Sequence, residues 1–192
     1  MRHVTVLLAI LLLAAFDAHA DSASDLVRAA RAQVGVTLRY DPAYRTIGYP
    51  NGDVPLDRGV CTDVVVRAYR GIGIDLQARV HEDMLAAWKV YPKIWGLKAP
   101  DANIDHRRVQ NLTTFFARHG QTLPTGDDPH GYRAGDIVTW NVDGLAHIGI
   151  VAERRTRAGV PFIVHNIGAG ARMEDVLFAY PITGHYRWLP KR

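Results

Sequence analysis

The sequence changes character near residue 120, and this change constrains the fold most strongly. Before it, apolar residues recur at the three- and four-residue spacing of amphipathic helices, in segments 24–34, 59–71, 81–91 and 104–119. After it, short runs of β-branched and aromatic residues alternate with turn residues, at 137–140, 146–152, 160–167 and 185–189. Helices followed by a strand meander predict an α+β fold, with N-terminal helices packed on a C-terminal antiparallel sheet.

The first 20 residues have the composition of a secretory signal peptide. Arg2 and His3 precede an apolar run from Val4 to Phe16, and residues 18–20 form a small-x-small cleavage site. The run is too short to favour a membrane span, and no later segment is apolar enough. We therefore expect cleavage after residue 20, a periplasmic or secreted protein without stable membrane insertion, and one domain over 21–192.

The charge pattern excludes some classes of partner. The formal net charge is +4, and it stays so without residues 1–20, which hold one arginine and one aspartate. A mild positive charge favours anionic surroundings such as cell-wall polymer, although only weakly. The arginines are scattered and no nucleic-acid-binding motif is present, so a nucleic-acid partner is not expected. We expect a monomer that needs no cofactor.

Cys61 is the single cysteine of the chain, so it cannot form an internal disulfide. It lies at the start of a predicted helix, where unpaired N–H groups and the helix dipole lower the pKa of a thiol. A buried structural cysteine is the alternative interpretation. A free thiol in an oxidising compartment is a hazard unless it is used. We therefore predict that Cys61 is a catalytic nucleophile.

Two predicted strands after Cys61 each carry a histidine. His147 and Gly149 share one face of their strand. If that face is turned towards the cysteine helix, Gly149 leaves room for the thiol and a substrate. A hairpin turning near residue 156 brings His147 opposite residue 165 or 166, so either His165 or Asn166 orients the imidazole. His147 is then the general base and acid.

Other polar residues are candidates for substrate binding or metal binding. The Cys61 N–H, with Tyr49 as a second donor, can hold an oxyanion. Arg107 or Arg108 can pair with a substrate carboxylate, with Arg107 as the candidate. Strand histidines 147, 165 and 185 could hold zinc, but no carboxylate with matching spacing accompanies them. We therefore predict no metal site.

Several motifs of the chain, in this order, resemble the NlpC-type branch of the papain-like cysteine peptidases. They extend over about residues 35–190 and comprise the loop 49–55, the helix-opening Cys61, and segments 135–140, 147–151 and 164–166. Segments 59–65, 103–109 and 165–168 more closely resemble the YijF-like exported bacterial proteins, a group without an assigned activity. The NlpC branch usually has Asp-Cys-Ser-Gly, where this chain has Val60-Cys61-Thr62-Asp63, which implies a different pocket.

The NlpC-type resemblance implies an amidase or endopeptidase that cleaves amide bonds in peptidoglycan stem peptides. It implies Cys61 as nucleophile, His147 as base and His165 as the third, orienting residue. Two alternatives use the same residues differently. The thioester intermediate could transfer its acyl group to an acceptor other than water, or the domain could be a catalytically silent module that binds the cell wall.

Overall fold

The computed structural model describes residues 22–189, so the predicted signal peptide lies outside the described residues. Four α-helices precede most of the sheet: α1 (22–31), α2 (Cys61–Gly71), α3 (Leu76–Ala87) and α4 (Val109–His119). The strands are β1 (Arg39–Tyr40), β2 (Arg58–Gly59), β3 (Gln121–Thr122), β4 (Ile137–Val142), β5 (Leu145–Arg155), β6 (Pro161–His165), β7 (Arg172–Glu174) and β8 (Ile182–Arg187).

Six of these strands form one antiparallel sheet in the order β3-β8-β4-β5-β6-β7. The two remaining strands, β1 and β2, form a short parallel pair just before α2. Helix α2 packs on β5 and β6, and α4 packs on β3, β5 and β8. The predicted α+β fold, with helices on a C-terminal antiparallel sheet, is confirmed. Within the described residues, none of the helices has the length and apolar content that crossing a membrane requires.

The sheet buries apolar side chains on both faces. Ile148 and Ile150 of β5 join the core under the helices, together with Val64 and Val65 of α2. The opposite face carries a smaller cluster made by Tyr132, Val138, Trp140, Val151, Ile163 and Leu177. Because successive side chains of a strand point to opposite faces, His147 and Gly149 lie on the side of the smaller cluster. This face assignment decides how the histidine reaches the cysteine.

Two helix boundaries differ from the predicted ones, and a side-chain cap accounts for the first. Helix α3 begins at Leu76 because the Asp75 side chain accepts hydrogen bonds from the N–H groups of Gln77 and Ala78. The predicted helix 104–119 divides into a 3₁₀ turn, Asp105–Arg107, and α4. The short edge strands β3 and β7 have no periodicity long enough to predict them.

The hairpin between β5 and β6 has a different register from the predicted one. Ile150 pairs with Val164 and Val151 with Ile163, and an irregularity follows between Val151 and Arg155. His165 is therefore not directly opposite His147. The two histidines are diagonal neighbours on one face, a separation that long or aromatic side chains can bridge.

Candidate active site

Cys61 is the first residue of α2, and Asp63 fixes the entrance of this helix. The Val60 N–H donates to Asp63 Oδ2 at 2.7 Å. Arg107 closes on the same carboxylate with two hydrogen bonds, from Nε at 2.9 Å and from Nη2 at 3.0 Å. An aspartate in the first turn of a helix is stabilised by the helix dipole as well. The aspartate that follows the cysteine motif is thus explained as the anchor of the helix start.

The Cys61 sulfur is buried, with 3% of the residue exposed, and backbone N–H groups surround it. Hydrogen bonds from the backbone of Ile148, Thr62 and Cys61 itself each lower the thiol pKa, but burial outweighs them and raises it to about 12. The nearby Asp63 charge acts in the same direction as burial. The expected lowering of the thiol pKa is therefore wrong for this arrangement. The free-energy cost of removing the thiolate from water exceeds its stabilisation by the helix start.

Three side chains form a continuous hydrogen-bonded chain across β5, β6 and β7. His147 Nε2 lies 2.9 Å from His165 Nδ1, and His165 Nε2 lies 3.0 Å from Glu174 Oε2. A carboxylate accepts hydrogen bonds, so His165 donates from Nε2 and its neutral ring accepts at Nδ1. His147 must then carry its proton on Nε2, which leaves the lone pair on Nδ1. Glu174 thereby determines which nitrogen of His147 is basic.

Burial keeps the His147 imidazole neutral. Desolvation, and secondarily the adjacent His165, lower the pKa of His147 to about 3. Burial also lowers the pKa of His165, while Glu174 opposes that shift. At neutral pH the cysteine and histidine are therefore a thiol and an imidazole, and not a preformed ion pair. In a neutral pair, an imidazole can take a thiol proton only as a general base during attack.

His147 approaches the cysteine from an unexpected direction. Its ring lies on the face of the sheet opposite α2, 5.9 Å from the Trp140 ring between centroids. The Ile148 N–H, which belongs to the next residue, points at the Cys61 sulfur. Because backbone N–H groups lie in the plane of a sheet, the thiol sits at the level of β5, at the residue that follows His147. Within residues 22–189, Cys61 and His147 share no hydrogen bond.

Gly149 has a different role from the predicted one. A Cβ placed at this position would lie 2.6 Å from Ile163 Cγ2 and 3.1 Å from His165 Cβ. The missing side chain therefore makes room for β6, not for the thiol. It lets the strand that carries His165 approach closely enough to contact His147.

His165 and Asn166, the two candidates for the third position, have separate roles. His165 contacts His147, whereas the Asn166 side chain points away and its Nδ2 donates to the Gly59 carbonyl oxygen at 2.9 Å. Gly59 is two residues before Cys61. Of the two candidates, the histidine contacts the imidazole, and the asparagine holds the segment that leads into α2.

A cavity of about 240 Å³ opens beside Cys61. Tyr40 is one of its lining residues, and burial together with the nearby Cys61 and Asp63 raises its pKa to about 12, so the phenol stays protonated. Tyr49, the predicted oxyanion donor, does not line this cavity and its ring packs edge-on against His81. The structure therefore offers the Tyr40 hydroxyl in place of Tyr49 as a polar donor near the thiol.

Arg107 does not have a guanidinium available for substrate. Besides the two bonds to Asp63, it donates to the carbonyl oxygens of Ala43 and Asp41. The prediction that it binds substrate is unsupported, because its donors are used inside the protein. Arg108, the alternative, lines the same cavity and its guanidinium lies over the Trp95 ring, 4.1 Å from the centroid.

The third strand histidine is separate from this site. His185 Nε2 bonds Asp136 Oδ2 at 2.9 Å and its Nδ1 bonds the Pro124 carbonyl oxygen at 2.9 Å. In the part of the chain that the structure describes, no three His, Cys, Asp or Glu side chains are placed to hold a metal ion. The zinc alternative required His147, His165 and His185 together, and the fold keeps His185 apart.

The sequence and the structure were each compared with known proteins. A family model described as "Domain of unknown function (DUF1287)" matches residues 27–188. "Uncharacterized protein YijF" of Escherichia coli (strain K12) is 58% identical over 163 residues, covering 84% of this chain and 80% of that protein. A solved structure, "Structure of NlpC1 from Trichomonas vaginalis", aligns with a TM-score of 0.49 and 18% identity over 88% of this chain. This chain spans only 45% of that one.

Proposed function

The chain belongs to the DUF1287 family, and we propose that it is an exported, papain-like cysteine hydrolase that cleaves amide bonds in peptidoglycan stem peptides. The observation that carries the proposal is the oriented hydrogen-bonded series from Glu174 through His165 to His147, the residue before Ile148, whose N–H points at the Cys61 sulfur. This hydrogen-bonded series leaves one basic nitrogen, His147 Nδ1, without a hydrogen-bond partner among residues 22–189. The motif resemblance to the NlpC-type branch supplies the substrate class.

The steps follow from the protonation states. A substrate carbonyl enters the cavity, Cys61 attacks its carbon, and His147 Nδ1 takes the thiol proton as the C–S bond forms. The imidazolium is stabilised because His165 accepts from its Nε2–H and Glu174 in turn accepts from His165. The Cys61 N–H and the Tyr40 hydroxyl are the donors for the oxyanion. His147 then protonates the leaving amine, and water attacks the thioester with the same base.

Digestion of purified peptidoglycan, with the released fragments identified by mass, tests this proposal. We expect the protein to release stem-peptide fragments, and Cys61→Ala to release none while its thermal unfolding remains cooperative. His130→Ala, which removes an exposed histidine away from the cavity, is the matched control and should keep full activity. Equal cleavage by Cys61→Ala and the unmodified protein would overturn the assignment. An added amine acceptor separates acyl transfer from hydrolysis, since transfer gives an amide product in place of the free acid.

A binding module without catalysis is the second candidate, and one observation favours it. The Cys61 thiol is buried and its pKa is raised to about 12, as for a structural cysteine. Under this alternative, the protein and Cys61→Ala co-sediment equally with insoluble peptidoglycan and neither releases fragments. Release of fragments by the unmodified protein alone excludes it.

A further inference from the structure

The cavity beside Cys61 has an asymmetric wall. Its lining combines aromatic and aliphatic side chains with two arginines, and within residues 22–189 no aspartate or glutamate lines it. The lining includes Cys61, Trp95, Arg107, Arg108, Val109 and Gln110. The electrostatic character of the cavity therefore depends on which of the two arginines is neutralised inside the protein.

Arg107 is neutralised and Arg108 is not. The guanidinium of Arg107 is paired with Asp63 in a two-bond contact and is buried. Arg108 donates no side-chain hydrogen bond and forms no ion pair with any residue between 22 and 189. The cavity wall therefore carries one unpaired positive charge.

The charges of two carboxylates, Asp105 and Asp101, act on Arg108, but neither carboxylate bonds its guanidinium. Asp105 accepts from the Asp101 N–H at 2.7 Å and lies 3.2 Å from His81 Nδ1. Asp101 accepts from the Asn103 side chain at 2.9 Å and from the Tyr44 hydroxyl at 3.0 Å. Both raise the pKa of Arg108 only as distant charges, while burial lowers it. Neither closes the guanidinium fork.

Trp95 holds the Arg108 guanidinium in place from one side. A guanidinium 4.1 Å from an indole centroid makes a cation–π contact that uses the face of the fork and leaves its edge free. That edge is the part that binds a carboxylate with two parallel hydrogen bonds. Val109 and Gln110, which open α4, line the same wall, so the positive end of that helix lies there too.

We propose that Arg108, stacked on Trp95, binds a free carboxylate of the substrate next to the bond that Cys61 attacks. The enzyme thereby selects acidic peptides over their amidated forms. This inference rests on the proposed function of Cys61. Arg108 is a specificity-determining residue, and Arg107 is a positioning residue for the cysteine helix.

Stem peptides purified from peptidoglycan, as isolated and with their free carboxylates converted to carboxamides, test the proposal. We expect kcat/KM for the acidic form to be at least about ten times that for the carboxamide form. This is the size of effect that a charge-assisted bidentate contact gives. Arg108→Gln should lose this preference by slowing the acidic form alone and leaving the carboxamide rate within about twofold. Arg108→Lys keeps the charge without the fork and should retain part of the preference.

Arg154→Gln is the matched control. Arg154 also lies over an aromatic ring, 4.7 Å from the Phe162 centroid, but it is exposed and outside the cavity. The Arg154→Gln substitution removes the same charge as Arg108→Gln and should leave the preference for the acidic form unchanged. Equal rates of the unmodified enzyme on both peptide forms, or equal loss on both forms in Arg108→Gln, would overturn the inference.

A binding measurement separates failure of this inference from failure of the proposed function. Cys61→Ala is titrated with the two peptide forms, and tryptophan fluorescence reports binding. An Arg108-dependent preference for the acidic form without any cleavage by the unmodified protein would sustain the carboxylate site and reject the hydrolase. Cleavage without a preference would sustain the hydrolase and reject the carboxylate site.

Discussion

The sheet buries two histidine clusters, one around His147 and one around His185. They differ in how many ring nitrogens of the histidine are hydrogen-bonded. His185 bonds a carbonyl oxygen with one ring nitrogen and Asp136 with the other, and Arg187 closes on the same carboxylate. His147 bonds His165 with one nitrogen only. A histidine with both nitrogens occupied is a structural element, whereas a histidine with one nitrogen available can exchange a proton.

The carboxylates of the two clusters differ in their burial and in their hydrogen-bond partners. Asp136 is fully buried and its hydrogen bonds to His185 and Arg187 lower its pKa despite the cost of burial. Glu174 lies at the open end of its chain with 38% of its side chain exposed, and His165 is its partner. Asp136 therefore stabilises the fold, and Glu174 orients a proton.

The largest expected effect concerns activity, and it tests the contrast between the two histidines. His147→Ala should lower kcat by at least about 10³-fold, because it removes the base, as triad deletions do. His185→Ala should change kcat by less than about tenfold in the fraction that remains folded, because it touches no substrate. Rates on stem peptides, normalised to folded protein by circular dichroism, measure both. Comparable losses in kcat would break the contrast.

The second effect concerns stability, and here a substitution in the His185 cluster should have the larger effect. Asp136→Ala should lower the free energy of unfolding by about 3–5 kcal/mol, since it leaves the buried His185 and the partly exposed Arg187 without their shared partner. Glu174→Ala should cost less than about 1 kcal/mol, because its carboxylate is partly solvated. Urea unfolding measures both, and the exposed Asp127→Asn serves as the control, expected within about 0.5 kcal/mol. A larger loss in Glu174→Ala would contradict this order.

A third test acts on the packing that holds the His147 chain together. Gly149→Ala places a Cβ against Ile163 and His165, so β6 must move away. We expect a loss of about 1–3 kcal/mol in unfolding free energy, typical of overpacking, together with a reduced kcat. Gly131→Ala is the control, because a Cβ there meets open space. Full activity in Gly149→Ala would show that close approach of β6 is not needed for catalysis.

The last effect is a difference in how stability depends on pH. Folding lowers the pKa of His147 to about 3, from an unfolded value of about 6.5. Between these values only the unfolded chain binds the proton, so acidification destabilises the fold by up to about 1.4 kcal/mol per pH unit at this residue. His147→Gln should make the slope of stability shallower between about pH 6.5 and 4.

The Asp136 cluster should respond in a lower pH window. Its lowered pKa means that its contribution is complete above about pH 4 and is lost only as the pH falls through the folded-state value. Urea unfolding at a series of pH values separates the two, with the exposed His130→Gln as the control. A slope in His147→Gln identical to that of the unmodified protein would contradict the assignment of a buried neutral imidazole.

The fold class and the order of the site residues could be predicted because they depend on periodicity. Helix α2 opens at Cys61 as the sequence suggests, and His147 and His165 lie on neighbouring strands. The face of β5 could not be predicted, because alternation tells which residues share a face and not which face meets a helix. The diagonal contact of the histidines depends on an irregular pairing near residue 155, which leaves no sequence signal.

The polar contacts were the least predictable part. Arg107 and Arg108 are equivalent in sequence, and only the position of Asp63 decides which of them is neutralised. Glu174 could not be identified because β7 is three residues long and follows a glycine-rich loop. The prediction of a lowered thiol pKa is wrong because the helix start is visible in the sequence, whereas the depth of burial is a property of the assembled layers.

The adjacent positions of His165 and Asn166 have a consequence for motion within the molecule. The His165 side chain bonds the His147 imidazole, and the Asn166 side chain holds the Gly59 carbonyl at the entrance of α2, so two adjacent residues connect His147 to the segment that leads into Cys61. We expect displacements of the helical layer against the sheet to carry Cys61 and His147 together. The spacing between the two reacting atoms then fluctuates less than the spacing between the layers that carry them.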